Sequence, residues 1–127
     1  GEPSTTTVLL MAAARRDFFL TVQHGQFYQG KPVIGYDLPG FGDELCGLPY
    51  LPRLIAKARA KLVGSMGDDI IYCCENDRRF FRDHGNIHPA DFLRVVWAAG
   101  DSDPKVYDYV RQRTLSVSSA VPDNEQT

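Results

Sequence analysis

The hydrophobic pattern is clearest between Leu48 and Arg113, where short amphipathic stretches alternate with residues that start or stop helices. From Leu51 to Val63, the residues Leu51, Leu54, Ile55, Ala58 and Leu62 recur at the i, i+3, i+4, i+7 spacing of one helical face. Arg53, Lys57 and Lys61 fall on the other side as a basic stripe. Pro49 and Pro52 open this helix, and Gly64 and Gly67 close it. Proline fits a first helical turn, and glycine fits just past the last. A short helix is predicted over Asp77 to His84, with Asn76 as its cap, Phe80 and Phe81 for burial, and Gly85 as its stop. Pro89 to Ala99 is predicted as a helix that turns Phe92, Leu93, Val95, Val96 and Trp97 toward the core and stops at Gly100. Asp103 caps a last helix ahead of Pro104, with Val106, Tyr107 and Val110 facing inward.

The N-terminal part is less regular. Val8 to Gln23 is predicted as a helix capped by Thr5 or Thr6 and stopped at Gly25. Leu9, Ala12, Ala13, Arg16 and Leu20 lie near one face, and Phe18, Phe19 and Val22 widen the apolar band. Gln26 to Gly47 is rich in glycine and proline, with Tyr28, Tyr36 and Phe41 between them, and reads as turns. Ordered loops of this length are often functional; the plainer reading is a tether. Asp68 to Tyr72 is short and β-branched, and is expected to be extended. The expected architecture is mainly α: a small bundle of four to five short helices with a long N-terminal loop. Residues 1–25 form an N-terminal helix or extension, 26–46 a Gly/Pro-rich linker, 47–113 the helical domain, and 114–127 a disordered tail poor in large apolar residues.

Composition narrows the class. The 127 residues suit one domain, with 43 % hydrophobic and 24 % charged residues as in ordinary globular proteins. The net charge of −2 provides no broad field for nucleic acid or an anionic membrane. Cys46, Cys73 and Cys74 are an odd set with two neighbours, a poor disulfide framework, so reduced thiols and a cytoplasmic location are expected. The apolar run Val8 to Ala14 is too short to span a bilayer, and Arg15 and Arg16 follow it rather than precede it, unlike a signal peptide.

The segment Gly47-Leu-Pro-Tyr-Leu-Pro-Arg-Leu-Ile-Ala-Lys-Ala-Arg-Ala60 resembles the opening helix of a bacterial family, domain of unknown function 5069. Leu51, Pro52, Arg53, Lys57 and Arg59 hold the places matching that family's Leu-Pro-Arg, lysine and arginine positions. Gly85 to Leu93 and Val106 to Val110 are similar to its later helices. His88 stands where the family more often has aspartate, and Asn86 is an insertion relative to its glycine–apolar step. The resemblance covers roughly Gly47 to Arg113 and implies a small, mostly helical bacterial protein. It carries no activity with it.

Four constellations could carry chemistry. The basic stripe of Arg53, Lys57 and Lys61, with Arg59 one turn aside and Tyr50 at its start, suits a phosphate or carboxylate ligand, since arginine binds such groups bidentately. The plainer reading is a solvated helix face. Cys73-Cys74 with His84, His88 and Cys46 has the ligand types for zinc but not the spacing, so no metal and no cofactor are expected. Cys73 or Cys74 with His84 as base and Asp77 or Asp83 as orienter has the residue types of a thiol nucleophile, without a flanking signature. The acids Asp68, Asp69, Glu75 and Asp77 flank a turn and read as solvated. The chain is therefore expected to be a non-enzymatic binding or interaction module. The alternative is a small enzyme or enzyme accessory subunit acting on an anionic metabolite. Expected partners are a small anionic ligand or another protein, with a homodimer left open, and neither nucleic acid nor membrane.

Overall fold

The computed structural model describes residues 2–125, with side chains for residues 2–117. Five α-helices carry the fold: α1 (Thr5–Thr21), α2 (Leu51–Val63), α3 (Glu75–Asp83), α4 (Pro89–Ala99) and α5 (Asp103–Glu125). A two-stranded antiparallel hairpin, β1 (Glu44–Leu45) with β2 (Leu48–Pro49), precedes α2. The mainly α architecture is as the pattern predicts. None of the described helices is long and apolar enough to cross a membrane.

The punctuation works where it is densest. α2 and α4 have the bounds that proline and glycine set, and Gly64 ends α2 with φ 82°, a left-handed conformation that glycine adopts without strain. Leu51, Leu54, Ile55, Ala58 and Leu62 are all buried. They pack with Phe81, Phe92, Leu93, Val96, Val106 and Val110 in one continuous core. At the start of α4, His88 Nδ1 accepts the Ala90 amide at 3.0 Å, so the imidazole performs the capping expected of an aspartate. Gly85 is required sterically: a Cβ there would stand 2.6 Å from the Arg113 backbone, and Arg113 Nη2 donates to Gly85 O. α5 thus sits directly on the α3–α4 turn.

Several expectations are corrected. α1 starts at Thr5 with Ser4 as its cap, not at Val8, and ends at Thr21. Its buried residues are Met11 and Ala14, while Leu9 is 64 % and Leu20 54 % exposed. The helix is apolar on almost every side, so periodicity alone could not select the docking face. Long-range bonds select it: Arg15 Nε donates to Lys61 O and Gln23 Nε2 to Val63 O, satisfying carbonyls at the end of α2. α3 begins at Glu75 with Cys74, not Asn76, as its cap. Asp68 to Tyr72 is a series of turns rather than a strand. Residues 114–125, expected within a disordered tail, continue α5; residues 126 and 127 lie outside the described part.

The Gly/Pro-rich connection is held at defined points. Val33 N donates to Ser65 O and Gly67 N to Val33 O, both at 2.7 Å, and Gly35 N donates to Asp69 Oδ2. The hairpin turn places Cys46 and Gly47 at φ 52° and 82°, two successive left-handed residues whose twist matches that of a two-residue hairpin.

Candidate functional site

The hairpin delivers the chain to α2 through Tyr50, whose φ of 75° is unusual for a residue with a side chain. Its amide donates to Asp43 O at 3.0 Å, and its ring lies between Phe41 and Phe80. A second such residue, Cys73 (φ 71°), leads into α3. Left-handed conformations cost a non-glycine residue roughly 1–2 kcal/mol each. They persist where surrounding contacts over-determine them.

Asp77 is the common anchor. Its carboxylate is fully buried. Oδ1 accepts from Tyr50 Oη at 2.5 Å. Oδ2 accepts from Lys57 Nζ at 2.8 Å, Cys73 N at 2.9 Å and Cys74 N at 3.3 Å. Four donors on one carboxylate, one of them a cation, are the kind of satisfaction that a buried charge requires. The Lys57 ammonium also lies 3.5 Å from Cys74 Sγ. Burial, and then the Asp77 hydrogen bond and charge, push the Tyr50 phenol well above its ordinary 10.0, so it stays protonated and donates.

Above this anchor lies a cleft of about 210 Å³. Phe41, Tyr50, Arg53, Lys57, Cys74 and Asp69 contribute to its lining, and the Asp69 carboxylate accepts from Gly35 N. The Arg53 guanidinium sits 4.3 Å from the Phe41 ring centre, and its Nη1 donates to Pro39 O at 3.0 Å. Arg53 Nε is buried and has no hydrogen-bond partner among the described residues.

Of the five sequence-predicted site residues, Tyr50, Arg53 and Lys57 meet here. The solvated basic stripe does not exist as drawn: Lys57 is 4 % exposed, drawn inward by Asp77. Arg59 Nη2 turns to Asp103 Oδ1 and Gly100 O, joining the end of α4 to the start of α5. Lys61 faces α1 on another side of the molecule. Asp77 was legible as one of several turn acids and as a candidate orienter of a thiol–imidazole pair; its burial follows from a partner twenty residues earlier in the chain. The residue types of a thiol nucleophile are present but are not assembled into a set. Burial raises the Cys73 thiol above its ordinary 9.0, outweighing the opposing charge of Arg78. The His84 ring stacks on Phe80 and its Nδ1 pairs with Phe80 O at 2.8 Å. Cys46 is exposed in the hairpin turn. Among the described residues, no group of three or more His, Cys, Asp or Glu side chains is placed to hold a metal ion.

Fold and cleft together define a small helical domain organised around a buried lysine–aspartate pair at the α2–α3 junction. The chain belongs to the family described as domain of unknown function (DUF5069), whose model matches residues 42–120. The matched segment holds Asp77 and all five predicted site residues, and it leaves α1 outside. No curated protein and no solved structure matches the chain.

Proposed function

We propose that this protein is a binding module whose ligand, a small anion, enters the cleft beside Arg53. The observation that carries this reading is the Arg53 guanidinium in the cleft wall, which takes part in no ion pair among the described residues. The guanidinium is already positioned by Pro39 O and Phe41, so little ordering is needed on binding. Asp77 neutralises Lys57, which leaves Arg53 as the cation for the ligand.

A non-enzymatic role is favoured over a small anion-processing enzyme by the state of the neighbouring groups. The Tyr50 phenol is held protonated and burial raises the Cys73 thiol. Neither is poised as a base near neutral pH. The three free cysteines favour a reducing compartment such as the cytoplasm.

The test is thermal melting against inorganic phosphate, citrate and nucleoside monophosphates. A ligand at one hundred times its dissociation constant adds about 2.7 kcal/mol of stability. One selective upward shift, abolished in Arg53→Ala, is expected. Silence across the set, or an equal shift in Arg53→Ala, overturns the reading. Turnover of a shifting ligand would replace it with the enzyme alternative.

A further inference from the structure

A second concavity, of about 380 Å³, lies on the side of the molecule where α1 meets the end of α2. One stripe of α1 forms its long wall, with Met11, Arg15, Arg16 and Phe19 at helical spacing. Phe27, from the loop after α1, forms the facing wall and leans on Phe19 with ring centres 4.9 Å apart. Lys61 of α2 contributes the third side. The chemistry is divided: aromatic and thioether surface along the floor, and three cations around it. Among the described residues, no carboxylate lines the groove. Arg15, Arg16 and Lys61 take part in no ion pair among the described residues. Arg15 Nε is used by Lys61 O, which fixes that guanidinium beside the lysine.

Three uncompensated cations held together on an apolar surface repel one another. Burial and the Arg15 charge together lower the Lys61 pKa, the result expected of an ammonium lacking a counter-charge. A surface of this kind is completed by an occupant carrying one anionic head and one apolar chain. Its volume lies within the range of small-molecule sites.

We infer that the α1–α2 groove binds a free amphiphilic carboxylate, its chain against Met11, Phe19 and Phe27 and its head between Arg16 and Lys61. This is a different site from the Arg53 cleft, and the two stand or fall separately.

The experiment is calorimetric titration of the full chain with decanoate below its micelle concentration, beside decanol and acetate. Saturable one-to-one binding of decanoate is expected, at least tenfold tighter than either control. Arg16→Ala combined with Lys61→Met is expected to weaken it tenfold or more. Phe27→Ala, at a residue 70 % exposed, is expected to weaken it several-fold. Arg53→Ala is expected to leave it unchanged. Equal binding of decanol and decanoate overturns the inference, because the cations then contribute nothing. So does undiminished binding in both Phe27→Ala and the double variant. Binding to phosphatidylglycerol vesicles without binding of free decanoate overturns it in favour of a membrane surface. A groove variant that converts a dimer to a monomer overturns it in favour of a second copy of the chain.

Discussion

The α2–α3 junction is polar and buried; the junction of α1 with α2 and α4 is apolar and half open. At the first, four donors converge on the buried Asp77 carboxylate and hold two left-handed residues, Tyr50 and Cys73, in place. At the second, Met11 and Ala14 are buried, Phe18 packs edge-on against Trp97, and Leu9 and Leu20 stay in solvent. The family-matched segment contains the first junction, whereas the second attaches a helix from outside it. A buried charge is tolerable in one arrangement only, since every lost donor leaves an unpaired group. An apolar contact accepts many arrangements and needs polar ties, here Arg15 and Gln23, to choose between them.

The contrast is most severely tested at Asp77. Asp77→Asn leaves the Lys57 ammonium buried without its counter-charge and is expected to cost about 3–5 kcal/mol in urea unfolding. Lys57→Met with Asp77→Leu removes both charges, and is expected to recover part of that loss. A cost below about 1 kcal/mol for the single variant would mean that the junction does not depend on the pair. At the other junction, Met11→Ala is expected to cost about 2 kcal/mol, near the lower end for a buried methionine because the groove beside it leaves room to relax.

A smaller effect separates the junctions by pH. Burial raises the Cys73 thiol from 9.0 and the Tyr50 phenol from 10.0 in the folded state. The unfolded chain therefore releases these protons first, and stability falls as pH rises past about 9, toward the folded-state values. Lys61 works the other way: its folded pKa lies below 10.5, so its contribution to stability grows as pH rises from that lowered value to 10.5. The net expectation from denaturation at pH 8 and pH 10 is a loss, and Tyr50→Phe is expected to shrink it. The smallest effect belongs to the outer face of α1. Leu9→Ser is expected to change stability by no more than about 0.5 kcal/mol, and a larger loss would show that face to be covered.

These differences track what the sequence makes legible. The bounds of α2 and α4 are set by Pro52, Gly64, Pro89 and Gly100, local signals that act within one turn. The core face of α2 follows from its spacing alone. Lys57 has the same spacing as Arg53 and Lys61, yet it is buried, because its environment is set by Asp77 on another helix. The faces of α1 were illegible for the opposite reason, since apolar residues all round give no preferred side. Of the cleft, the sequence identified Tyr50, Arg53 and Lys57 but not the carboxylate that organises two of them. A clue existed in the position of Asp77 at the third residue of a helix, where acids commonly turn back to the chain.

The bonds from Arg15 and Gln23 to the end of α2 also bear on how the chain is made. Their acceptors, Lys61 O and Val63 O, lie 46 and 40 residues further along. At about 5–20 residues per second of synthesis, α1 leaves the ribosome roughly 2–9 s before its docking partner exists. Through that interval a helix apolar on nearly every side has nothing to cover it. The nascent chain therefore carries the apolar positions of Val8 to Leu20 uncovered through that interval, and docking is complete only when α4, with the Trp97 ring that Phe18 meets, has followed α2.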